Sequence, residues 1–380
     1  VYKVMGMEAD EAHAIADNFV RSIFSWYSPH SMRWHYEDGV FLHAAYSVAT
    51  RKHDDTMIER IRSTCDSVVS KDGTIADYRM EDYNLDNIRC GTLLFDLYDR
   101  FGEERYLLAA HALEKQLALQ PRTLGGGFWH KKIYPHQIWL DGLYMAQPFR
   151  CRFGVYAGDD AVLADVVDQL LSIERKCRDP HTGLLYHAWD EARRQMWADR
   201  DTGCSPHFWG RAMGWYAMAL VDVVELLPEG IPRSEELSAA ICRLAEAACD
   251  WQDGGGLWHQ VLDQGDREGN YLESSCSAMF GYFLLKAYRL GFLGERHLAA
   301  GLHAFEALVA QKTSVDAEGM IHLHDVCAVA GLGGTPYRDG SYGYYVAEPV
   351  ASDDFKGIGP CILLAEAYAE TKLGNLTTLV

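Results

Sequence analysis

Gly127-Phe128-Trp129-His130 is the segment from which the fold can be read, because its pattern returns along the chain. A glycine, apolar or aromatic residues and a histidine recur at Gly183-Leu184-Leu185-Tyr186-His187, Gly256-Leu257-Trp258-His259 and Gly319-Met320-Ile321-His322. Each is followed by a polar loop and a long helical stretch. The histidines are 57, 72 and 63 residues apart, a mean of about 64, so a chain of 380 residues holds about six such units. Ser31-Met32-Arg33-Trp34-His35 and Gly73-Thr74-Ile75 fit the same place in the N-terminal third. Between the markers, residues 9–24, 41–49, 54–69, 88–101, 103–118, 160–176, 212–226, 234–251, 276–290 and 296–312 carry apolar residues at three- and four-residue spacing. That is the period of a helix with one buried face. Alternating stretches of strand length are nearly absent. Six helix pairs can stack as an open solenoid or close into a ring. Closure is favoured because no unit reads as a polar cap and because glycine-rich, aromatic loops recur at one end of each pair. The expected fold is all-α, an (α/α)6 barrel whose loops share one mouth. No linker or low-complexity tract divides residues 1–380, which read as a single barrel domain.

Composition narrows the functional classes. Hydrophobic residues make up 48% and charged residues 23%, ordinary for a globular chain with a large core. The formal charge of −19 opposes nucleic acid and anionic membrane surfaces. A small anionic ligand stays open, because one arginine in a cleft overrides the global field locally. No run of 18 apolar residues suggests a membrane span. The opening VYKVMGMEADEAHAIADNF lacks a basic-then-apolar leader pattern and reads as an amphipathic helix, although a chain that starts with Val leaves a removed leader open. Ten cysteines are scattered without a CxxC pair, which fits reduced, mostly buried thiols in the cytoplasm rather than a disulfide framework or a zinc site. Ten Trp and 21 Tyr exceed what a core needs and hint at a carbohydrate cleft.

The densest chemistry lies in residues 125–149, where Asp141 stands between Trp139 and Tyr144 at the start of a helix. Asp is a preferred N-cap, so capping is one reading. The other is a general acid whose carboxyl is desolvated by aromatic neighbours. Asp86, in Tyr83-Asn84-Leu85-Asp86-Asn87-Ile88, also precedes an apolar helix and has the same two readings. If the ring closes, its unit brings it to the same mouth as Asp141, and paired carboxyls suit acid/base work on a sugar. In His207-Phe208-Trp209-Gly210-Arg211-Ala212-Met213-Gly214-Trp215, Arg211 opens a helix, and Trp215 shares its face four residues on. The helix dipole disfavours a bare cation there, so an anionic partner gains weight. His130, His136 and His187 read first as hydrogen-bonded wall residues, and their spacing offers no metal motif. Residues 331–345 read as a long rim loop, and Glu273 as a helix cap.

These segments resemble the unsaturated rhamnogalacturonyl hydrolases of glycoside hydrolase family 105, related to the unsaturated glucuronyl hydrolases of family 88. The resemblance rests on Asn84-Leu85-Asp86, on WHKKIYPHQIWLDGLYMAQPF around Asp141, on Leu185-Tyr186-His187, and on FWGRAMGWYAMALVDV, ESSCSAMFGY and SDDFKGIGP, in order across most of the chain. It implies the (α/α)6 barrel and a reaction without metal or cofactor on a 4,5-unsaturated uronic acid, a small anionic disaccharide. It makes Asp141 the acid/base, Asp86 the second essential carboxylate, and His187, Trp209, Arg211 and Trp215 binding residues, with His130 beside them. Three alternatives stay open. They are a family 88 activity on glycosaminoglycan-derived disaccharides, an (α/α)6 sugar epimerase working through histidines, and a sugar-binding protein without catalysis.

Overall fold

A computed structural model describes residues 6–377. Its helices are α1 (Ala9–Phe24), α2 (Tyr36–Arg51), α3 (Asp55–Asp66), α4 (Gly91–Phe101), α5 (Glu104–Leu119), α6 (Leu140–Ala157), α7 (Asp160–Cys177), α8 (Gly210–Leu226), α9 (Glu235–Asp250), α10 (Ser274–Arg289), α11 (Glu295–Lys312), α12 (Tyr342–Ala347) and α13 (Phe355–Thr377). The strands among the described residues are two or three residues long and form three separate antiparallel ribbons.

Helices α2, α4, α6, α8, α10 and α13 form an inner ring, each against the next, and α13 closes on α2. Outside them, α3, α5, α7, α9, α11 and α1 each back one inner helix. Burial follows this division. Outer α9 is buried at Leu237, Ala240, Ile241, Leu244, Ala245, Ala247 and Ala248, one face at helical spacing. Inner α8 is buried at every position from Gly210 to Val221, because a helix walled in on all sides needs no polar face. The expected barrel is therefore present.

The returning glycine motif has a simple physical basis. After α3, α5, α7, α9 and α11 the chain makes a tight hairpin that turns on Gly73, Gly126, Gly183, Gly256 and Gly319, all at φ between +78° and +93° except Gly183 at +73°. A side chain is strained in that region, so glycine recurs there. In the 125–130 segment the turn residue is Gly126, one position before the Gly127 of the sequence motif. Each hairpin sends the chain to the start of the next inner helix, so all inner N-termini point to one mouth.

Two inner helices lie outside the periodic stretches named above, α6 and α13. Both carry a proline inside, Pro148 and Pro360, and α6 is buried almost all round, which erases the helical period. The ring closes where backbones come close. A Cβ on Gly359 would stand 2.9 Å from the Val40 carbonyl oxygen, and one on Gly39 2.8 Å from Cys90 Cα. The rim loop is shorter than expected, since residues 342–347 form α12.

Candidate active site

The candidate side chains stand at or just before the starts of inner helices: Tyr36 at α2, Asp86 before α4, Asp141 at α6, Arg211 at α8 and Glu273 at α10. Geometry removes the capping reading for both Asp141 and Asp86. Trp139, not Asp141, is the N-cap of α6, and the Asp141 carboxyl caps nothing. In the single turn at 85–87 the capping side chain is Asn84, which leaves the Asp86 carboxylate to other partners. Neither aspartate is there to end a helix.

A short ribbon sets the position of Asp141. Strand β1 (Gln137–Trp139) pairs with β2 (Ala188–Asp190), and the Leu140 N–H donates to the His187 carbonyl at 3.0 Å. Asp141 Oδ2 and His187 Nε2 thereby face each other at 3.1 Å, with the Asp141 side chain 15% exposed and His187 fully buried. Neither atom has a well-aligned hydrogen bond within the protein. On its other side His187 Nδ1 is 2.8 Å from the Tyr345 hydroxyl. Burial pushes the Tyr345 phenol well above its ordinary value, so it stays protonated. A neutral His187 carries its proton on Nε2 when that hydroxyl donates to Nδ1, and on Nδ1 when the hydroxyl accepts.

Asp86 is held differently. Lys131 Nζ donates to Oδ2 at 2.5 Å, and His130 Nε2 stands 3.6 Å from Oδ1. Burial is the largest single influence and would raise the carboxyl, but the charge and hydrogen bond of Lys131 together with the charges of His130 and His35 hold Asp86 below the usual carboxylate range. His130 stacks on Trp139 at 4.7 Å, which in turn stacks on Tyr134 at 4.8 Å. Both aspartates act electrostatically on His130 and on Tyr36 at the start of α2, which ties the two carboxyls to one space.

Desolvation holds His130 down to about 4, against the pull of Asp86. Its folded value lies below the ordinary 6.5, so between pH 6.5 and 4 the unfolded chain binds the extra proton and stability falls as pH falls. At about 1.4 kcal/mol per pH unit the loss approaches about 3 kcal/mol. Urea unfolding at pH 7 and pH 4.5 should show His130→Gln losing less stability on acidification than the unsubstituted protein; equal losses would show that His130 is not the group responsible.

Trp209 caps α8, its ring 4.8 Å from His187 and its indole N–H donating to Gln260 at 3.1 Å. Arg211 is a buried cation rather than a surface one. It lies over the Trp209 ring at 4.9 Å, donates from Nη1 to the Cys327 carbonyl, and stands 4.0 Å from Glu273 Oε1. Burial opposes its charge, but these partners hold the guanidinium well above its ordinary value, so it is permanently positive. Glu273 caps α10 as expected, through the Cys276 N–H at 2.7 Å. Trp215 lies one turn deeper than Arg211, fully buried, its ring stacked on Tyr144 at 4.8 Å. His136 is apart from this group, near Glu191.

Sequence reading passed over Lys131, Tyr36, Tyr345 and Arg338. Arg338, in the rim loop, donates to the Tyr134 hydroxyl and to the Gly333 and Leu332 carbonyls, and its charge is felt by Lys131. The signals were faint: Lys131 lies inside the 125–149 segment, and Arg338 in a loop that declared only its glycines. Among the described residues there is no group of three or more His, Cys, Asp or Glu placed to hold a metal ion.

Comparison with known proteins agrees with this fold. A C. acetobutylicum glycoside hydrolase from family 105 superposes with a TM-score of 0.91 at 40% identity, covering 93% of this chain and 98% of that one. A protein of Agrobacterium fabrum is 43% identical over 235 residues, 60% of this chain and 99% of its own. The unsaturated rhamnogalacturonyl hydrolase YesR of Bacillus subtilis is 26% identical over 306 residues, 79% of this chain and 83% of its own. The family model for Glycosyl Hydrolase Family 88 matches residues 12–372. The chain therefore belongs to the family 88/105 glycosyl hydrolases.

Proposed function

We propose that the enzyme releases a 4,5-unsaturated galacturonyl residue from rhamnose by hydrating the ring double bond. The observation that carries this reading is the pairing of Asp141 with Asp86 at one mouth, one carboxyl open beside His187 and the other fixed as an anion by Lys131. The similarity to a family 105 structure and to YesR supports the substrate class.

The C4–C5 bond of such a sugar is an enol ether. Asp141 gives its proton to C4, and positive charge develops at C5 and the ring oxygen. The ionised Asp86 stabilises that charge and holds the sugar hydroxyls. Asp141, now a carboxylate, takes a proton from the water that adds to C5. The hemiketal formed opens at the C5–O5 bond, which leaves C1 as a hemiacetal bearing the partner sugar. Its collapse to an aldehyde expels that sugar. Trp209 and His187 form the wall, with Trp215 beneath them. Arg211 supplies a cation for the substrate carboxylate. The converging N-termini of six inner helices add positive potential at the mouth of a chain whose total charge is −19.

The test is ultraviolet absorbance of the double bond during incubation with unsaturated galacturonyl-rhamnose. Loss of absorbance with release of free rhamnose is expected. Persistence of the absorbance there, with its loss on unsaturated glucuronyl disaccharides, would assign the enzyme to the other substrate class. The ten cysteines, none of them in a disulfide, support a reducing compartment such as the cytoplasm. Among the described residues no helix is long and apolar enough to cross a membrane.

A further inference from the structure

Below the carboxylates the barrel holds a fully buried arginine that the reaction as written does not use. Arg89 follows Asp86 by three residues, in the turn that enters α4, and is 1% exposed. Its Nη2 donates to the Tyr144 hydroxyl at 2.8 Å, its Nη1 to Thr92 Oγ1 at 2.9 Å, and its guanidinium lies 4.3 Å from the centre of the Tyr144 ring. Tyr144 follows Asp141 by three residues on α6 and stacks on Trp215 at 4.8 Å and 14°. Trp215 follows Arg211 by four residues on α8. The starts of α4, α6 and α8, which bear Asp86, Asp141 and Arg211, are thus joined one turn down by a single stack of Arg89, Tyr144 and Trp215.

Beneath the stack lies a polar cavity of about 340 Å³, lined by Arg89, Thr92, Pro148, Arg152 and Asp222 among others. Asp222 accepts from Lys286 at 2.8 Å and from the Tyr282 hydroxyl at 2.7 Å. Arg89 Nε has no partner in the protein, so the guanidinium is held by its two other nitrogens and by the ring face.

We infer that Arg89 is a positioning residue, which fixes the separation of Asp86 and Asp141 through its clamp on Tyr144. The inference rests on the two-carboxylate reading given above. An acid and a stabilising carboxylate serve one reacting sugar only while their spacing is kept, and displacement by about 1 Å costs on the order of 100-fold in rate. A large planar cation suits the task, since it donates in fixed directions and stacks on an aromatic face at once.

Arg89→Met, Arg89→Lys and Tyr144→Phe are to be compared with the unsubstituted enzyme by kcat and KM on the unsaturated disaccharide. Arg89→Met should lower kcat about 100-fold and change KM by less than about 3-fold, with Arg89→Lys recovering about 10-fold. Tyr144→Phe keeps the stack, loses the hydroxyl acceptor and should lower kcat about 5-fold to 10-fold. In combination with Asp86→Asn, Arg89→Met should add little further loss, because both act through the same pair. An unchanged kcat in folded Arg89→Met, or losses that multiply with Asp86→Asn, would overturn the inference. Should Arg89→Met fail to fold, unchanged kcat in both Arg89→Lys and Tyr144→Phe would overturn it equally. Absence of turnover in the unsubstituted enzyme would instead overturn the unsaturated-uronide reading, and the same kcat ratios are then taken on the glycoside that it does cleave.

Discussion

Asp141→Asn is expected to lower kcat by about 10⁴-fold while leaving the protein folded. The substitution conserves volume and removes only the ability to give and take a proton. Nothing in the helix depends on the lost charge, since Trp139 occupies the N-cap and the Asp141 carboxyl makes no capping bond. The facing His187 Nε2 lies 3.1 Å away and accommodates an amide oxygen as readily as a carboxylate oxygen. Unfolding free energy should therefore change by less than about 1 kcal/mol. KM should change little, because the sugar hydroxyls and the substrate carboxylate are held by other groups. Near-normal turnover in a folded Asp141→Asn would remove this residue from the acid/base role and revive a histidine mechanism, in which His187→Ala would be the damaging change.

The largest effect on stability is expected at Glu273. This carboxylate is fully buried and accepts from the Cys276 and Cys327 N–H groups at 2.7 and 2.9 Å and from the Ser275 hydroxyl at 2.8 Å. It is also the carboxylate facing Arg211, at 4.0 Å. Glu273→Ala leaves two backbone donors unpaired and a buried guanidinium without its nearest counter-charge. Breaking one side of such a pair costs about 4 kcal/mol, a large share of the stability of an ordinary domain. Glu273→Gln keeps an acceptor oxygen for the helix start and should lose about half as much. Guanidinium unfolding of the two variants reads the difference; a loss below about 1 kcal/mol for Glu273→Ala would mean that Arg211 is neutralised by other groups.

What was legible in the sequence follows from distance along the chain. The hairpin glycines and the helical periods are local properties, so the repeat, the number of units and the ring could be read from them. Asp141 announced itself at a helix start among aromatics, and Asp86 by its place before the apolar helix of the preceding unit. The partners that give them chemistry come from elsewhere. Tyr345 reaches His187 across 158 residues, and Lys131 reaches Asp86 across 45. No window of neighbouring residues contains such a pair. The same reason hid the clamp of Arg89 on Tyr144, 55 residues away. Helices α6 and α13 were obscured in another way, since a helix buried on every side with a proline within it carries neither the period nor the propensity that marks its neighbours.

The seam between α13 and the first two helices bears on how the molecule is made. Synthesis runs from α1 to α13, and until residues 355–377 leave the ribosome the inner ring has five members and a gap. During that interval α1, α2 and α10 present to water the apolar surfaces that α13 later covers. A nascent chain in this state is a broken annulus with two sticky lips, open to self-association or to capture by chaperones. Helix α13 thus acts as a latch, and the mouth framed by six inner helices is complete only once it has packed.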